Sequence, residues 1–404
     1  MEAIFGFIGI IIAYAVGSHV LGLIFGSVGR GVKKIVTGKE TYLGPPQIKF
    51  VDEKMEDTDV VLKRIMFRGK IPVNRSMEVG YYISAFDYTD GEDDLGLIIA
   101  LMEQQQEPDT VCFSVREELG TINVGDTYTD WVQLGAISPS FIQPPKSGER
   151  KIKVIVCLFN LDDPPEVHTG FRDGGDLIFA KSLDFDHQFT EKGFLEEAED
   201  REEAQSLSLK IGVAVAMADG TLDDSEGEIL KNWILKEVSA FSDEKSKRLK
   251  KLFNESLKEG FALAQSGNLA LSPLVERLSE IGERKTRYDA IALAFDVMAA
   301  DGVADPEEMS VIRNVARSLD LDMEEIEKMR EGVTLNLSSN LSSGGDLESF
   351  VGIEEGWSDQ EKKKHLRSEF QKWSNRLNTL PEGEERESAQ TMLDNIASLR
   401  KKYG

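Results

Sequence analysis

The sequence feature that most restricts the fold is an internal repeat in the middle of the chain. Residues 216–230 read AMADGTLDDSEGEIL, and residues 298–312 read MAADGVADPEEMSVI. The copies share the pattern D-G-x-x-D-x-x-E at a constant offset of 82 residues (301 − 219), and each follows an apolar segment with helical periodicity. Such a repeat predicts two similar helix–turn–helix units in an α-helical region. The matching residues are Asp219, Gly220, Asp223 and Glu226 in the first copy and Asp301, Gly302, Asp305 and Glu308 in the second.

These repeated residues allow two interpretations. In the structural one, the glycine ends the first helix with a positive φ angle, the second aspartate caps the next helix, and the glutamate completes a capping box. Pro306 then falls at the first helical position, where a missing N–H costs nothing. In the functional interpretation, the clustered carboxylates bind a divalent cation such as calcium. The candidate ligands are Asp219, Asp223, Glu226, Asp301, Asp305 and Glu308.

Paired A-D-G-x-x-D-x-x-E elements, each joining two helices, resemble the TerB (tellurite-resistance protein B) family. The resemblance covers residues 204–332. It implies an all-helical bundle with an acidic surface and a link to stress response or phage defence. It implies no catalytic activity.

Residues 45–182 have the pattern of β structure. Short β-branched and aromatic runs alternate with clusters of Gly, Pro, Asp and Asn, and no long helical pattern interrupts them. This alternation predicts an antiparallel β-sandwich. The expected strands are residues 60–73, 77–88, 110–115, 130–137, 151–160 and 176–183.

Two acidic loops punctuate these strands, FDYTDGEDD at residues 86–94 and NLDDPP at 160–165. If both loops lie at one end of the sandwich, their carboxylates provide the oxygen ligands that calcium requires. Such an arrangement is similar to calcium-binding sandwich domains, the TerD family among them. The alternative is that the aspartates bond to their own backbone, as they commonly do in turns. The candidate ligands are Asp87, Asp90, Asp162 and Asp163.

The N-terminus carries an apolar run at residues 4–25, followed by Arg30, Lys33 and Lys34. The run is long enough for a single transmembrane helix, about 33 Å at 1.5 Å per residue, and its basic flank predicts a cytoplasmic body at a bacterial inner membrane. The basic residues follow the run, which argues against a cleaved signal peptide. Two sets of small residues at four-residue spacing predict homo-oligomerisation through this anchor; the alternative is that glycine is simply common in membrane helices. These small residues are Gly9, Ala13, Gly17, Gly22 and Gly26.

The C-terminal region, residues 347–404, is predicted to form an α-helical hairpin whose first helix is basic. Its apolar positions fall at three- and four-residue spacing on both helices. The hairpin resembles the J-domain of DnaJ-type co-chaperones, but Asn378, Thr379 and Leu380 occupy the positions of the family's His-Pro-Asp tripeptide. The whole layout resembles DjlA-type membrane co-chaperones. The predicted partner-binding residues are Lys362, Lys363, Lys364, Arg367, Lys372 and Arg376.

The composition argues against several classes of function. A formal net charge of −25 argues against nucleic-acid binding. The two cysteines and four scattered histidines do not have the spacing of a zinc site or a catalytic triad.

The predicted domains of the chain are 1–44 (anchor), 45–190 (sandwich), 191–335 (TerB-like), 336–346 (linker) and 347–404 (degenerate J-like).

We therefore expect a membrane-anchored cytoplasmic scaffold in stress response or phage defence that recruits protein partners, is not an enzyme and requires no cofactor. The alternatives are a divalent-cation sensor coupled to the membrane and a co-chaperone of DnaK-type chaperones.

Overall fold

The computed structural model describes residues 42–107, 110–168, 171–218, 220, 222–300, 306–336, 348, 351–353, 356–380 and 383–403. The chain forms two compact units, Met1–Ala198 and Glu199–Gly404, each with its own hydrophobic core. We call the first the β unit and the second the helical unit. The apolar run at 4–25, together with Gly9, Ala13, Gly17, Gly22 and Gly26, lies outside the described residues. None of the helices that the structure describes combines the length and apolar character needed to cross a bilayer.

The β unit contains twelve strands within its described residues. They are β1 (Gln47–Lys54), β2 (Val61–Lys70), β3 (Met77–Asp87), β4 (Gly96–Leu97), β5 (Ile99–Ala100), β6 (Ser114–Ile122), β7 (Thr127–Ile137), β8 (Ile142–Gln143), β9 (Gly148–Asn160), β10 (Glu166–His168), β11 (Phe171–Asp173) and β12 (Leu177–Phe189).

Strand pairing in the β unit is antiparallel throughout the described sheets. One sheet has the order β1-β2-β7, and a five-stranded sheet has the order β12-β9-β3-β4 with β6 also on β3. Two short pairs, β5-β8 and β10-β11, complete the unit. The predicted antiparallel β structure of this region is confirmed.

Both larger sheets supply side chains to one core. Phe67 of β2 and Val154 of β9 belong to the same buried cluster. Tyr81 of β3 donates its hydroxyl hydrogen to the carbonyl of Leu134 on β7 at 2.6 Å, which satisfies a buried polar group and joins the two sheets. Strand β3 is buried on both faces over most of its length, and its sequence is accordingly a nearly continuous apolar run.

The helical unit contains nine helices within its described residues, the first of which starts in the preceding unit. They are α1 (Phe194–Ala216), α2 (Asp224–Val238), α3 (Asp243–Gln265), α4 (Leu271–Ile281), α5 (Arg284–Met298), α6 (Pro306–Ser318), α7 (Met323–Asn336), α8 (Asp359–Thr379) and α9 (Glu384–Tyr403). The predicted α-helical character of this region is confirmed. The predicted linker, 336–346, lies beyond the described residues except for Asn336.

The C-terminal hairpin, α8 and α9, shares the core of the other helices. Leu366 and Trp373 of α8 and Ile396 of α9 belong to the same buried cluster as Ile291 and Leu293 of α5. Helix α9 also contacts α7 directly. The apolar stripes read from the sequence therefore serve two interfaces, one within the hairpin and one toward the bundle.

Candidate interaction site on the C-terminal hairpin

The first copy of the repeat punctuates two helices as its sequence predicts. Asp223 precedes α2 and accepts hydrogen bonds from the Ser225 N–H at 2.8 Å and from the Ser225 hydroxyl at 2.6 Å. Glu226 reaches back and accepts from the Asp223 N–H at 2.8 Å, so the predicted capping box is present. The hydrogen bonds from the Ser225 side chain and backbone lower the pKa of Asp223. Gly220 has φ +89°, as a helix stop requires.

The second copy is described only from Pro306 onward. Helix α6 begins at Pro306, the predicted first helical position, and Glu308 is buried. Asp301, Gly302 and Asp305, as well as Asp219 of the first copy, lie outside the described residues. Within the described part of the chain, no three His, Cys, Asp or Glu side chains converge as metal ligands. A cation site at the repeat stays a prediction.

Basic side chains lie beside Asp87 and Asp90, the two candidate calcium ligands of the first acidic loop. Asp87 accepts from Arg150 Nε at 2.7 Å, from the Thr89 N–H at 2.9 Å and from the Thr89 hydroxyl at 2.6 Å. Arg150 Nη2 lies 2.6 Å from the same carboxylate. Asp90 lies 3.8 Å from Arg150 and 4.0 Å from Lys146. Cationic side chains therefore lie beside the carboxylates to which the calcium hypothesis assigns a metal ion.

The second acidic loop lies far from the first. Antiparallel pairing of β3 with β9 places Asp87 opposite Ile152 and Val79 opposite Asn160. Eight residues of strand separate these positions, about 27 Å at 3.4 Å per residue. Asp162 N–H donates to the Asn160 side-chain oxygen at 3.1 Å, a turn of the self-bonded type. The expectation that Asp162 and Asp163 share one end of the sandwich with Asp87 and Asp90 is wrong, because the loops follow opposite ends of one ladder.

Three of the six predicted partner-binding cations are held by acids of the same chain. Arg376 Nη1 donates to Glu331 at 3.0 Å, and Lys372 pairs with the same carboxylate. Lys362 lies 3.4 Å from Glu348. These side chains stabilise the hairpin and its junction with α7, so they are not freely available to a partner.

The other three predicted cations form the exposed group of α8. Lys363, Lys364 and Arg367 are exposed, and none makes an ion pair with any residue that the structure describes. Lys363 and Arg367 are four residues apart and therefore neighbours on the helix surface. We call Lys363, Lys364 and Arg367 the α8 basic patch.

A buried charge cluster behind this patch was not anticipated from the sequence. Arg330 of α7 is 3% exposed and lies 2.6 Å from Glu327 and 3.3 Å from Glu369 of α8. The adjacent Glu331 binds Lys372 and Arg376. Buried charges need partners, and here the acids and bases of α7 and α8 complete one another. The cluster fixes the orientation of α8, and with it the α8 basic patch.

A glycine makes room for this cluster. Gly352 has φ +90°, and a Cβ atom there would lie 3.0 Å from an Arg330 guanidinium nitrogen and 3.1 Å from His365 Nε2. His365 Nε2 lies 2.7 Å from the carbonyl oxygen of Val351. The short segment 351–353 is therefore held between α7 and α8 by direct contact with side chains of both helices.

Comparison with known proteins supports the resemblance predicted for part of the helical unit. The family model described as "Tellurite resistance protein TerB" matches residues 205–331, about a third of the chain. No curated protein and no solved structure gives a significant match. The resemblances of the hairpin to a J-domain, of the β unit to TerD-type sandwiches and of the layout to DjlA-type proteins stay predictions. The match extends from α1 to α7 and includes both copies of the repeat, so this segment of the chain is similar to the TerB family, as its sequence predicts.

Proposed function

We propose that this chain is a membrane-anchored adaptor of a tellurite-resistance-type stress or phage-defence system. In this proposal the apolar run at 4–25 anchors it in a bacterial inner membrane, both units lie in the cytoplasm, and the hairpin recruits a protein partner. The observation that carries the proposal is the α8 basic patch beside a TerB-type bundle. The role requires no catalytic residue and no cofactor.

Electrostatics favours an acidic partner surface at the patch. The chain carries a net charge of −25, which repels an acidic partner at long range. At physiological ionic strength that repulsion decays over about 8 Å, whereas contacts within the patch act at shorter distances. Three exposed cations on one rigid helix can therefore select an acidic surface that fits closely.

Photo-crosslinking in cells tests the recruiting surface. A photoreactive residue at Lys364 of the full chain should give a discrete adduct with one partner. The same residue at Lys250, an exposed lysine of α3, is the matched control and should not give that adduct. Charge reversal at Lys363 and Arg367 should abolish the adduct. Identical adducts from both positions would contradict the assignment of the patch.

Membrane anchoring has its own test. After alkaline carbonate extraction, the full chain should remain in the membrane pellet, whereas a chain that starts at Tyr42 should be released. Release of the full chain would refute the anchored part of the proposal and leave the crosslinking result interpretable.

A further inference from the structure

The outer face of the β1-β2-β7 sheet carries a stack of aromatic rings and cations. The Arg68 guanidinium lies between two rings, 4.3 Å from the centre of Tyr42 and 4.5 Å from the centre of Trp131. Lys49 Nζ lies 4.2 Å from the same Trp131 ring. We call Tyr42, Lys49, Arg68 and Trp131 the cation–aromatic face.

Strand register explains why these side chains meet. Gln47 pairs with Arg68, and Ile48 pairs with Phe67. Ile48 and Phe67 point into the core, so their strand neighbours Lys49 and Arg68 point outward. Arg68 Nε also donates to Gln47 Oε1 at 3.0 Å, which holds the guanidinium between the rings.

The cations of this face lack acidic partners within the described residues, since no ion pair involves Lys49 or Arg68. Farther along the sheet, Arg64 is neutralised by Glu53 at 3.2 Å. The unpaired charge is therefore concentrated at the Tyr42 end. Two unpaired cations stacked on aromatic rings, in a chain of net charge −25, favour an anionic ligand.

Position along the chain identifies the source of the anion. Tyr42 is the first described residue, and the sixteen residues 26–41 separate it from the apolar run and contain Arg30, Lys33, Lys34 and Lys39. Sixteen residues span at most about 58 Å when fully extended. An apolar run held in a bilayer therefore keeps Tyr42 within about 58 Å of the lipid headgroups. Basic residues beside a membrane segment attract anionic lipid, and Trp and Tyr favour the headgroup level.

We propose that the cation–aromatic face docks on the anionic phospholipid headgroups of the membrane that holds the N-terminal segment. Arg68 and Lys49 contact lipid phosphates, and the rings of Tyr42 and Trp131 lie among the headgroups. Docking turns this end of the β unit toward the bilayer. The inference rests on the membrane anchoring in the proposed function.

The test uses the full chain in lipid nanodiscs. A fluorophore is attached to Val51→Cys, an exposed position on the same sheet, or to Ser182→Cys, an exposed position on β12 of the other sheet, as the matched control. Both native cysteines are buried, so the introduced thiol is labelled selectively. An acceptor dye on the lipid headgroups reports proximity.

In discs with one third phosphatidylglycerol, we expect energy transfer from position 51 to exceed that from position 182 at least two-fold. In neutral phosphatidylcholine discs, or with Lys49→Glu and Arg68→Glu, this difference should disappear. The milder pair Lys49→Gln and Arg68→Gln should reduce it. Unreactive native cysteines confirm that each variant has a folded β unit.

Equal transfer from both positions in anionic discs would overturn the docking proposal. Transfer that is independent of lipid charge would also overturn it. If added polyglutamate then covers the fluorophore at position 51 instead of the lipid, the face is assigned to an acidic protein. Co-elution of the chain with the discs is scored separately. If the chain does not co-elute with the discs, the anchoring proposal is refuted. If it co-elutes but position 51 lies far from the headgroups, only the docking proposal is refuted.

Discussion

Replacing Arg150 with methionine should destabilise the β unit strongly, because it leaves Asp87 charged and buried. The side chains of Arg150 and Asp87 are 9% and 2% exposed and form a contact of 2.6 Å. Removing one partner of a buried ion pair costs about 3–5 kcal/mol of unfolding free energy. The two hydrogen bonds from Thr89 to Asp87 remain, so the low end, about 3 kcal/mol, is expected.

The two native cysteines provide a readout specific to the β unit. Cys112 and Cys157 are the chain's two cysteines, and both are buried in this unit as thiols outside any disulfide. Pulsed thiol labelling during urea titration of the full chain therefore reports unfolding of the β unit alone. With a urea dependence of about 2 kcal/mol per M, the midpoint should fall by about 1.5 M.

Two comparisons make this prediction refutable. Lys54 and Asp59 form an ion pair of similar length, 2.9 Å, between exposed side chains, so Lys54→Met should shift the urea midpoint much less than Arg150→Met does. The double variant Asp87→Asn with Arg150→Met leaves no unpaired charge and should be more stable than Arg150→Met alone. An Arg150→Met shift no larger than that of Lys54→Met would show that burial of this pair does not set its contribution.

Three further predictions concern capping, pH and calcium. Ser358 caps α8 through a capping box, so Ser358→Ala should lower the unfolding free energy of the helical unit by about 1 kcal/mol in thermal unfolding. The exposed Ser368→Ala is the control, and equal effects of the two substitutions would show that the cap does not stabilise the helix. Hydrogen bonds from the N–H groups of Gly193 and Ser147 lower the pKa of Glu196, so its stabilising effect is fully present above the ordinary pKa of 4.5 and is lost as pH falls through the lower folded value. An NMR titration midpoint for Glu196 at or above 4.5 would contradict this. Added calcium at 1 mM should leave the urea midpoint of the β unit unchanged, since basic side chains already neutralise Asp87; a clear rise would restore the calcium hypothesis.

Features set by neighbouring residues were predictable from the sequence. The capping box between Asp223 and Glu226 spans three residues, and the repeat shows it directly. Strands β3 and β9 were expected within a few residues of their observed bounds because their apolar runs are long. Strand β1 was not predicted, because charged residues interrupt its apolar positions and weaken the alternation.

Features that depend on distant residues were not predictable in the same way. The sequence shows six basic residues on α8, but it does not show that Glu331 of α7 holds Lys372 and Arg376. Arg330 looks like an ordinary surface residue of an amphipathic helix until Glu369, 39 residues later, is brought beside it. No periodicity or short motif encodes such a pairing.

The sequence by itself therefore determined the class of each region: β-rich, then α-helical, with a repeat-containing segment that is similar to the TerB family. Those properties follow from residue spacing along a few turns of helix or strand, where the interacting groups are covalently close. The tertiary structure alone decided which charges are available for function. It neutralised Asp87 with Arg150, separated the two acidic loops and left Lys363, Lys364 and Arg367 exposed. The physical reason is that a charge's environment depends on which segments pack together, and packing brings together residues that lie far apart in the sequence.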